Sequence, residues 1–158
     1  ALGKNFEIGQ NNRLLCHLSD DLKRFKQITN KHTVLMGENT YLSLPTRPLP
    51  HRRNIVLAFD KTTVYEGCYM AYSIEEAVQL CDKEEETFIM GGASVYRQFL
   101  PLCDKLYLTL IDADFPNADA FFPTIDWNEW DLVEDILHPA DEKHKYNFSY
   151  KTYVKKKK

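Results

Sequence analysis

Two short apolar runs end in glycine and pass directly into helical spacing. Thr33-Val34-Leu35-Met36-Gly37 leads into a short helical stretch at 39–44. Thr87-Phe88-Ile89-Met90-Gly91-Gly92 leads into a helical face of Val95, Tyr96, Phe99 and Leu100, stopped by Pro101. Further apolar runs at 54–59 and 68–72 read as strands. Ser73-Ile74-Glu75-Glu76 is a capping box, and Ile74, Ala77, Val78 and Cys81 make the apolar face that follows it. Strands alternating with helices predict an α/β fold with a mostly parallel sheet and helices on both faces. A long strand is expected at 105–113. The segments 130–138 and 146–154 read as a terminal pair, with Tyr146, Phe148, Tyr150, Thr152 and Val154 alternating with polar residues. That pair predicts an antiparallel C-terminal edge. Residues 4–13 read as a polar loop.

At 158 residues, one domain spanning 1–158 is the expectation. The abrupt opening Ala1-Leu2-Gly3 reads as a first strand cut short, and lysines 155–158 as a frayed basic tail. Hydrophobic content of 44% and charge of 27% are those of a globular protein, and no run of about 20 apolar residues implies a membrane span. The formal charge is −3, and the lysine tail supplies four of the 20 basic residues, so the body is more acidic still. Nucleic acid is therefore an unsuitable partner. Cys16, Cys68, Cys81 and Cys103 show no paired spacing, which favours a reducing, cytoplasmic setting over disulfides or zinc.

Residues 14–29 carry the most chemistry. Ser19 reads as an N-cap, acids follow in the first turn, and Leu22, Phe25 and Ile28 recur at helical spacing. On a wheel of about 100° per residue, Asp21 falls inside that apolar stripe and Asp20 points away as an ordinary first-turn acid. A carboxylate on an apolar face is costly without a partner. It is satisfied by its own helix, or it awaits a ligand with N–H donors.

In an open α/β sheet, ligands bind beyond the carboxyl ends of the strands. Gly9, Gly37, Gly91 and Gly92 fall in such loops, where backbone can approach a pyrophosphate and helix starts supply N–H donors. Tight helix–strand packing explains Gly91-Gly92 equally well. Arg47, Arg52 and Arg53 lie in one proline-stiffened loop with Leu49, a placement suited to a carboxylate or to plain solvation. Cys16-His17 makes no nucleophilic pair. His138 and His144 lack a metal-ligand spacing, so no metal is expected.

Together these pieces resemble the dihydrofolate reductase family. The likeness rests on Leu22-Lys23-Arg24-Phe25-Lys26, Val34-Leu35-Met36-Gly37 with Thr40, and Arg47-Pro48-Leu49-Pro50 with Arg52-Arg53-Asn54. It continues through Ile89-Met90-Gly91-Gly92 with Val95-Tyr96, Leu106-Tyr107-Leu108-Thr109 and Phe122-Pro123. It implies a central eight-stranded sheet and reduction of 7,8-dihydrofolate to tetrahydrofolate by NADPH. By position, Asp21 and Thr109 would be the catalytic pair, with Asp21 holding the pterin and assisting protonation at N5. Ala1, Leu22, Phe25, Leu44, Leu49, Met90 and Tyr96 would line the substrate, and Arg52, with Arg47 nearby, would clamp its glutamate. The cofactor would meet Ala1, Ile8, Gly9, Asn12, Arg13, Leu14, Gly37, Glu38, Asn39 and Thr40. It would also meet Leu57, Ala58, Phe59, Tyr72, Gly91, Gly92, Ala93, Ser94, Val95 and Tyr96. Gly91-Gly92 would be a cis peptide, and residues 9–15 a mobile loop over the nicotinamide. A monomer binding dihydrofolate and antifolate inhibitors is implied.

The chain departs from the family at two places. Cys16 stands where tryptophan is usual. Glu38, Ala58 and Phe59 stand where polar or basic residues usually meet the 2′-phosphate, so NADH is a conceivable cofactor. The competing readings are a related pyrimidine reductase of riboflavin synthesis and a non-catalytic pterin- or nucleotide-binding module.

Overall fold

The computed structural model describes residues 1–10, 14–81 and 85–156. The chain divides into two compact units, one of Ala1–Lys23 with Phe99–Lys158 and one of Arg24–Gln98. The helix Ser19–Thr29 (α1) begins in the first and ends in the second.

The second unit holds four parallel strands, Thr33–Gly37 (β2), Arg53–Leu57 (β3), Tyr69–Ala71 (β4) and Thr87–Ile89 (β5), in the order β4-β3-β2-β5. The strand Glu7–Gly9 (β1) precedes them in the chain. Val34, Leu35, Met36, Ile55 and Val56 are fully buried, as continuous apolar strands of a covered parallel sheet should be. The helices Glu38–Ser43 (α2) and Ile74–Leu80 (α3) make the crossovers, and Ala93–Phe99 (α4) follows β5. Ser73 caps α3 as expected, accepting the Glu76 N–H at 3.1 Å. The reciprocal bond shifts by one residue, because Glu76 accepts from the Tyr72 N–H at 2.8 Å.

The first unit contains Lys105–Ile111 (β6), Ala120–Phe121 (β7), Trp130–His138 (β8) and Phe148–Lys155 (β9). β6, β9 and β8 form an antiparallel sheet with β9 central. Leu18, Ile111, Ala113 and Phe148 are its buried cluster, with Cys16, Phe115, Tyr146 and Tyr150 packed against them.

Three expectations change. The described residues do not form one eight-stranded sheet; nine strands fall into sheets of four, three and two. Near the start, Leu2 makes an isolated parallel bridge to Leu110, too short to count as a strand. The stretch read as a polar loop contains β1, paired antiparallel with β7. Three residues are too few for alternation to register, and the strand's first residue, Glu7, is polar yet only 2% exposed. Ser19 is the first residue of α1 and not its cap, since the Leu18 carbonyl already accepts the Leu22 N–H.

No helix among the described residues is long and apolar enough to cross a membrane.

Candidate active site

Asp21 sits half-buried in the first turn of α1, and Thr109 in β6 donates its hydroxyl to Asp21 Oδ1 at 2.5 Å. The apolar stripe beside the acid is only part covered. Leu22 is 42% exposed, while Phe25 and Ile28 are half-buried. Ala1 precedes Leu2, whose N–H donates to the Thr109 carbonyl at 2.7 Å, so the chain start lies along the strand that carries Thr109. Cys16 packs beside Leu18 and Phe148, and burial pushes its thiol up, helped by the nearby Asp21 charge. A neutral thiol there is a weak nucleophile. Ile8 and Gly9 lie in β1, and Leu14 is exposed. The expected contacts at Asn12 and Arg13 fall outside the described residues, as does most of the expected mobile loop.

The second unit brings the remaining substrate candidates into two groups. Leu44, Leu49 and Met90 pack against Val34, Met36, Tyr41 and Val56. Arg52 donates from Nε to the Pro50 carbonyl at 3.0 Å and from Nη1 to Thr29 Oγ1 at 3.2 Å, and its guanidinium lies 6.0 Å from the Phe25 ring centre. Arg47 reaches the Leu42 carbonyl at 3.3 Å, next to a cis Arg47–Pro48 bond. Arg53 turns away, lying over Tyr69 and donating to the Leu80 carbonyl. Asn54, 1% exposed, ties the loop together: it accepts the Leu49 N–H at 3.0 Å and donates to the carbonyls of Leu49 and Arg52 at 3.0 and 2.9 Å. Asn54 ends the motif Arg52-Arg53-Asn54, which by itself assigns it no role. Its type, an amide ending a polar loop and starting an apolar strand, was the available signal.

The glycine turns also meet. The Gly91–Gly92 peptide is cis, as the resemblance implied, and the Gly37 N–H donates to the Gly91 carbonyl at 2.9 Å. Gly91 has φ 107°, and a Cβ there would lie 2.8 Å from Tyr96. A Cβ on Gly37 would lie 3.1 Å from Val95, whereas on Gly92 the nearest atom would be Thr40 Oγ1 at 3.8 Å. Gly92 therefore presents bare backbone beside Thr40, at the carboxyl end of a parallel strand. Asn39, Ala93 and Ser94 flank this turn, Ser94 accepting from Gln98 within α4. Elsewhere the cofactor candidates differ in exposure. Leu57 and Ala58 are buried, Phe59 is 86% exposed, and the Tyr72 hydroxyl donates to the Thr63 carbonyl at 2.8 Å. Glu38, which opens α2, lies against the Tyr65 hydroxyl; burial and the Glu38 charge together push the Tyr65 pKa up.

Asp20 is not an ordinary first-turn acid. His138 Nε2 lies 2.8 Å from Asp20 Oδ2, and His144 Nε2 lies 3.2 Å from the Asp20 nitrogen. The hydrogen bond to Asp20 raises the His138 pKa against the effect of burial and lowers that of Asp20.

The family model for dihydrofolate reductase matches residues 1–155. The chain belongs to the dihydrofolate reductase family. It is 38% identical to a dihydrofolate reductase of Bacillus subtilis over 156 residues, covering 99% of this chain and 92% of that one. It is 40% identical to a type 3 dihydrofolate reductase of Salmonella typhimurium over 152 residues, covering 96% and 93%. A solved structure of dihydrofolate reductase from Enterococcus faecalis, complexed with NADP(H) and RAB-propyl, matches with a TM-score of 0.90 at 38% identity, covering 99% of this chain and 93% of that one. Neither the riboflavin-pathway reductase nor a non-catalytic module is favoured by these likenesses to dihydrofolate reductases.

Proposed function

We propose that this chain reduces 7,8-dihydrofolate to 5,6,7,8-tetrahydrofolate with NADPH, and that Asp21 is its proton-handling group. The observation that carries this reading is Asp21 half-buried on an apolar helix face with the Thr109 hydroxyl on one oxygen. An ionised carboxylate has about four acceptor sites, so one hydroxyl leaves room for the 2-amino and N3 hydrogens of a pterin. Held so, the pterin is polarised toward protonation at N5, with a water completing the path. Leu22 in the first unit, and Phe25, Leu44, Leu49 and Met90 in the second, are apolar side chains suited to its flat rings, and in the second unit Arg52, with Arg47, is a cation suited to its glutamate carboxylate.

The glycine turn fits a dinucleotide. Bare backbone at Gly92 beside the Thr40 hydroxyl admits phosphate oxygens at close range. Gly37, Gly91, Ser94, Val95 and Tyr96 would complete that grip. NADPH, when bound, supplies the hydride that the pterin accepts at C6. The chain's own work is to place the two rings and exclude water. A single chain carries every residue this reading uses, which supports a monomer. Its four cysteines are free, which suits a reducing compartment such as the cytoplasm. A flat antifolate bearing an amidine-like nitrogen edge would bind Asp21 as the pterin does.

The test is loss of NADPH absorbance with dihydrofolate, run beside the riboflavin-pathway pyrimidine. Turnover of the first alone is expected; turnover of the second alone, or of neither, overturns the assignment.

A further inference from the structure

Four side chains converge beside the start of α1. They are Asp20, His138, Asp141 and His144, and one donor atom from each lies within 4.8 Å of all the others. Three stand at every third residue, His138 ending β8 and Asp141 and His144 in the connection to β9, and the fourth comes from the helix.

Both imidazoles are held in place. Phe148, 1% exposed, stacks on His138 with ring centres 4.3 Å apart and lies 5.2 Å from His144, whose side chain is fully buried. His138 Nδ1 lies 2.9 Å from the Pro139 carbonyl. A histidine whose Nδ1–H is anchored on a carbonyl directs Nε2 to whatever faces it, the arrangement common in metal-binding histidines. The His144 ring spans the Asp141 carboxylate at Nδ1, 2.8 Å away, and the Asp20 backbone at Nε2. Asp141 is itself fixed by the backbone N–H groups of Lys143 and His144 at 2.9 and 2.8 Å. Little side-chain entropy remains to be lost on binding.

We propose that these four residues form a binding site for a zinc-like divalent transition metal, distinct from the dihydrofolate site. Two carboxylates and two neutral imidazoles balance a divalent cation. Imidazole donors favour zinc, copper or nickel over magnesium or calcium. Bonds of about 2.0–2.2 Å at tetrahedral angles put donors about 3.4 Å apart. The two imidazole–carboxylate contacts, at 2.8 Å, open slightly to reach that spacing, and the wider separations close from below 4.8 Å. In the metal-free chain a proton lies between each imidazole and its carboxylate. On binding, His138 gives up its Nε2 proton to solvent, while His144, ligating through Nδ1, carries its proton on Nε2 toward Ser19 Oγ, 3.4 Å away, and the Asp20 N–H contact opens. The spacing His138-Pro139-Ala140-Asp141-Glu142-Lys143-His144 is unlike a zinc-finger pattern, which is why sequence spacing gave no metal signal.

The test uses the full chain stripped with a chelator and titrated calorimetrically with Zn²⁺ alone. One equivalent is expected, with His138→Gln and Asp141→Asn each weakening it by about tenfold or more. His17→Gln, an exposed histidine outside the cluster, should leave it unchanged. Asp20→Asn, on the helix, serves if a loop variant misfolds by circular dichroism. Co²⁺ in place of Zn²⁺ should give visible d–d bands without a thiolate charge-transfer band. No uptake, uptake indifferent to the variants, or a thiolate band reporting the cysteines would overturn the site and leave a hydrogen-bonded network only. Dihydrofolate turnover is read separately, so either assignment can fail alone.

Discussion

A carboxylate that already accepts a hydroxyl still has lone pairs to offer, and what it offers them to decides its chemistry. Asp21→Asn keeps the shape and the Thr109 contact but replaces one acceptor oxygen with an N–H donor facing the pterin amine. Proton-handling groups typically contribute 10²–10⁴-fold, so the variant should lose about a hundredfold or more in hydride-transfer rate at neutral pH. The loss should shrink at low pH, where dihydrofolate arrives already protonated. Pre-steady-state rates across pH check this, and a profile identical to the parent's removes Asp21 from the mechanism. Arg52 acts on a different part of the substrate. A charge-assisted pair is worth roughly 1.5–3 kcal/mol, so Arg52→Gln should raise KM for glutamate-bearing folates by about ten- to a hundredfold. It should barely change KM for a pterin lacking the glutamate. Equal effects on both substrates would mean that Arg52 only supports the loop.

At the scale of elements, the loop before β3 shows what could be read in advance and what could not. Three prolines announced its stiffness and its arginines its charge. The tether was not legible, because Asn54 acts by reaching back across five residues to Leu49. Asn54→Ala strands three backbone groups and should cost about 1–3 kcal/mol of stability. Through the freed loop it should raise KM for dihydrofolate more than it changes kcat; an unchanged KM would separate the tether from substrate binding. The parallel strands were legible because each lies in a longer apolar run, whereas β1, no shorter than β4 or β5, was hidden because Glu7 leaves it without one. The cofactor turn combines both cases. Its glycines were visible as spacing, but only the built turn distinguishes Gly91, crowded by Tyr96, from Gly92, which stays bare. Glu38, Ala58 and Phe59 bring no positive charge to the expected 2′-phosphate side. Loss of one charge-assisted contact is worth about tenfold, so the kcat/KM ratio of NADPH to NADH should be modest, and Glu38→Arg should raise it by about tenfold. A ratio at or below unity in the parent would assign NADH instead.

For the molecule as a whole, the contacts that composition and periodicity cannot reach are those between residues a hundred positions apart. Asp20 with His138 is one, and Glu7 with Phe115 is another. Glu7 is the more consequential for stability. It is almost wholly buried, and its carboxylate accepts the Asn5 and Phe115 N–H groups, each at 2.6 Å. Gly3 must be glycine beside it, since a Cβ there would lie 2.6 Å from Glu7 Oε1 and 2.7 Å from the Phe115 ring. Burial alone would raise the Glu7 pKa, but the backbone N–H groups of Glu7, Phe115 and Asn5 outweigh it, and the net shift is downward. A carboxylate whose folded pKa lies below its unfolded value, about 4.3 for glutamate, stabilises the fold above that unfolded value. That stabilisation is lost as pH falls through the folded pKa, where the proton removes the charged acceptor. Denaturant titrations should therefore show stability falling on acidification below the unfolded pKa. Glu7→Gln should be less stable by about 1–3 kcal/mol at neutral pH, because an amide cannot accept from both N–H groups with both of its polar atoms. The same variant should flatten the acid limb of the stability curve. A variant as stable as the parent at neutral pH, or one with an unchanged acid limb, would show that the buried carboxylate is not what anchors the start of this chain.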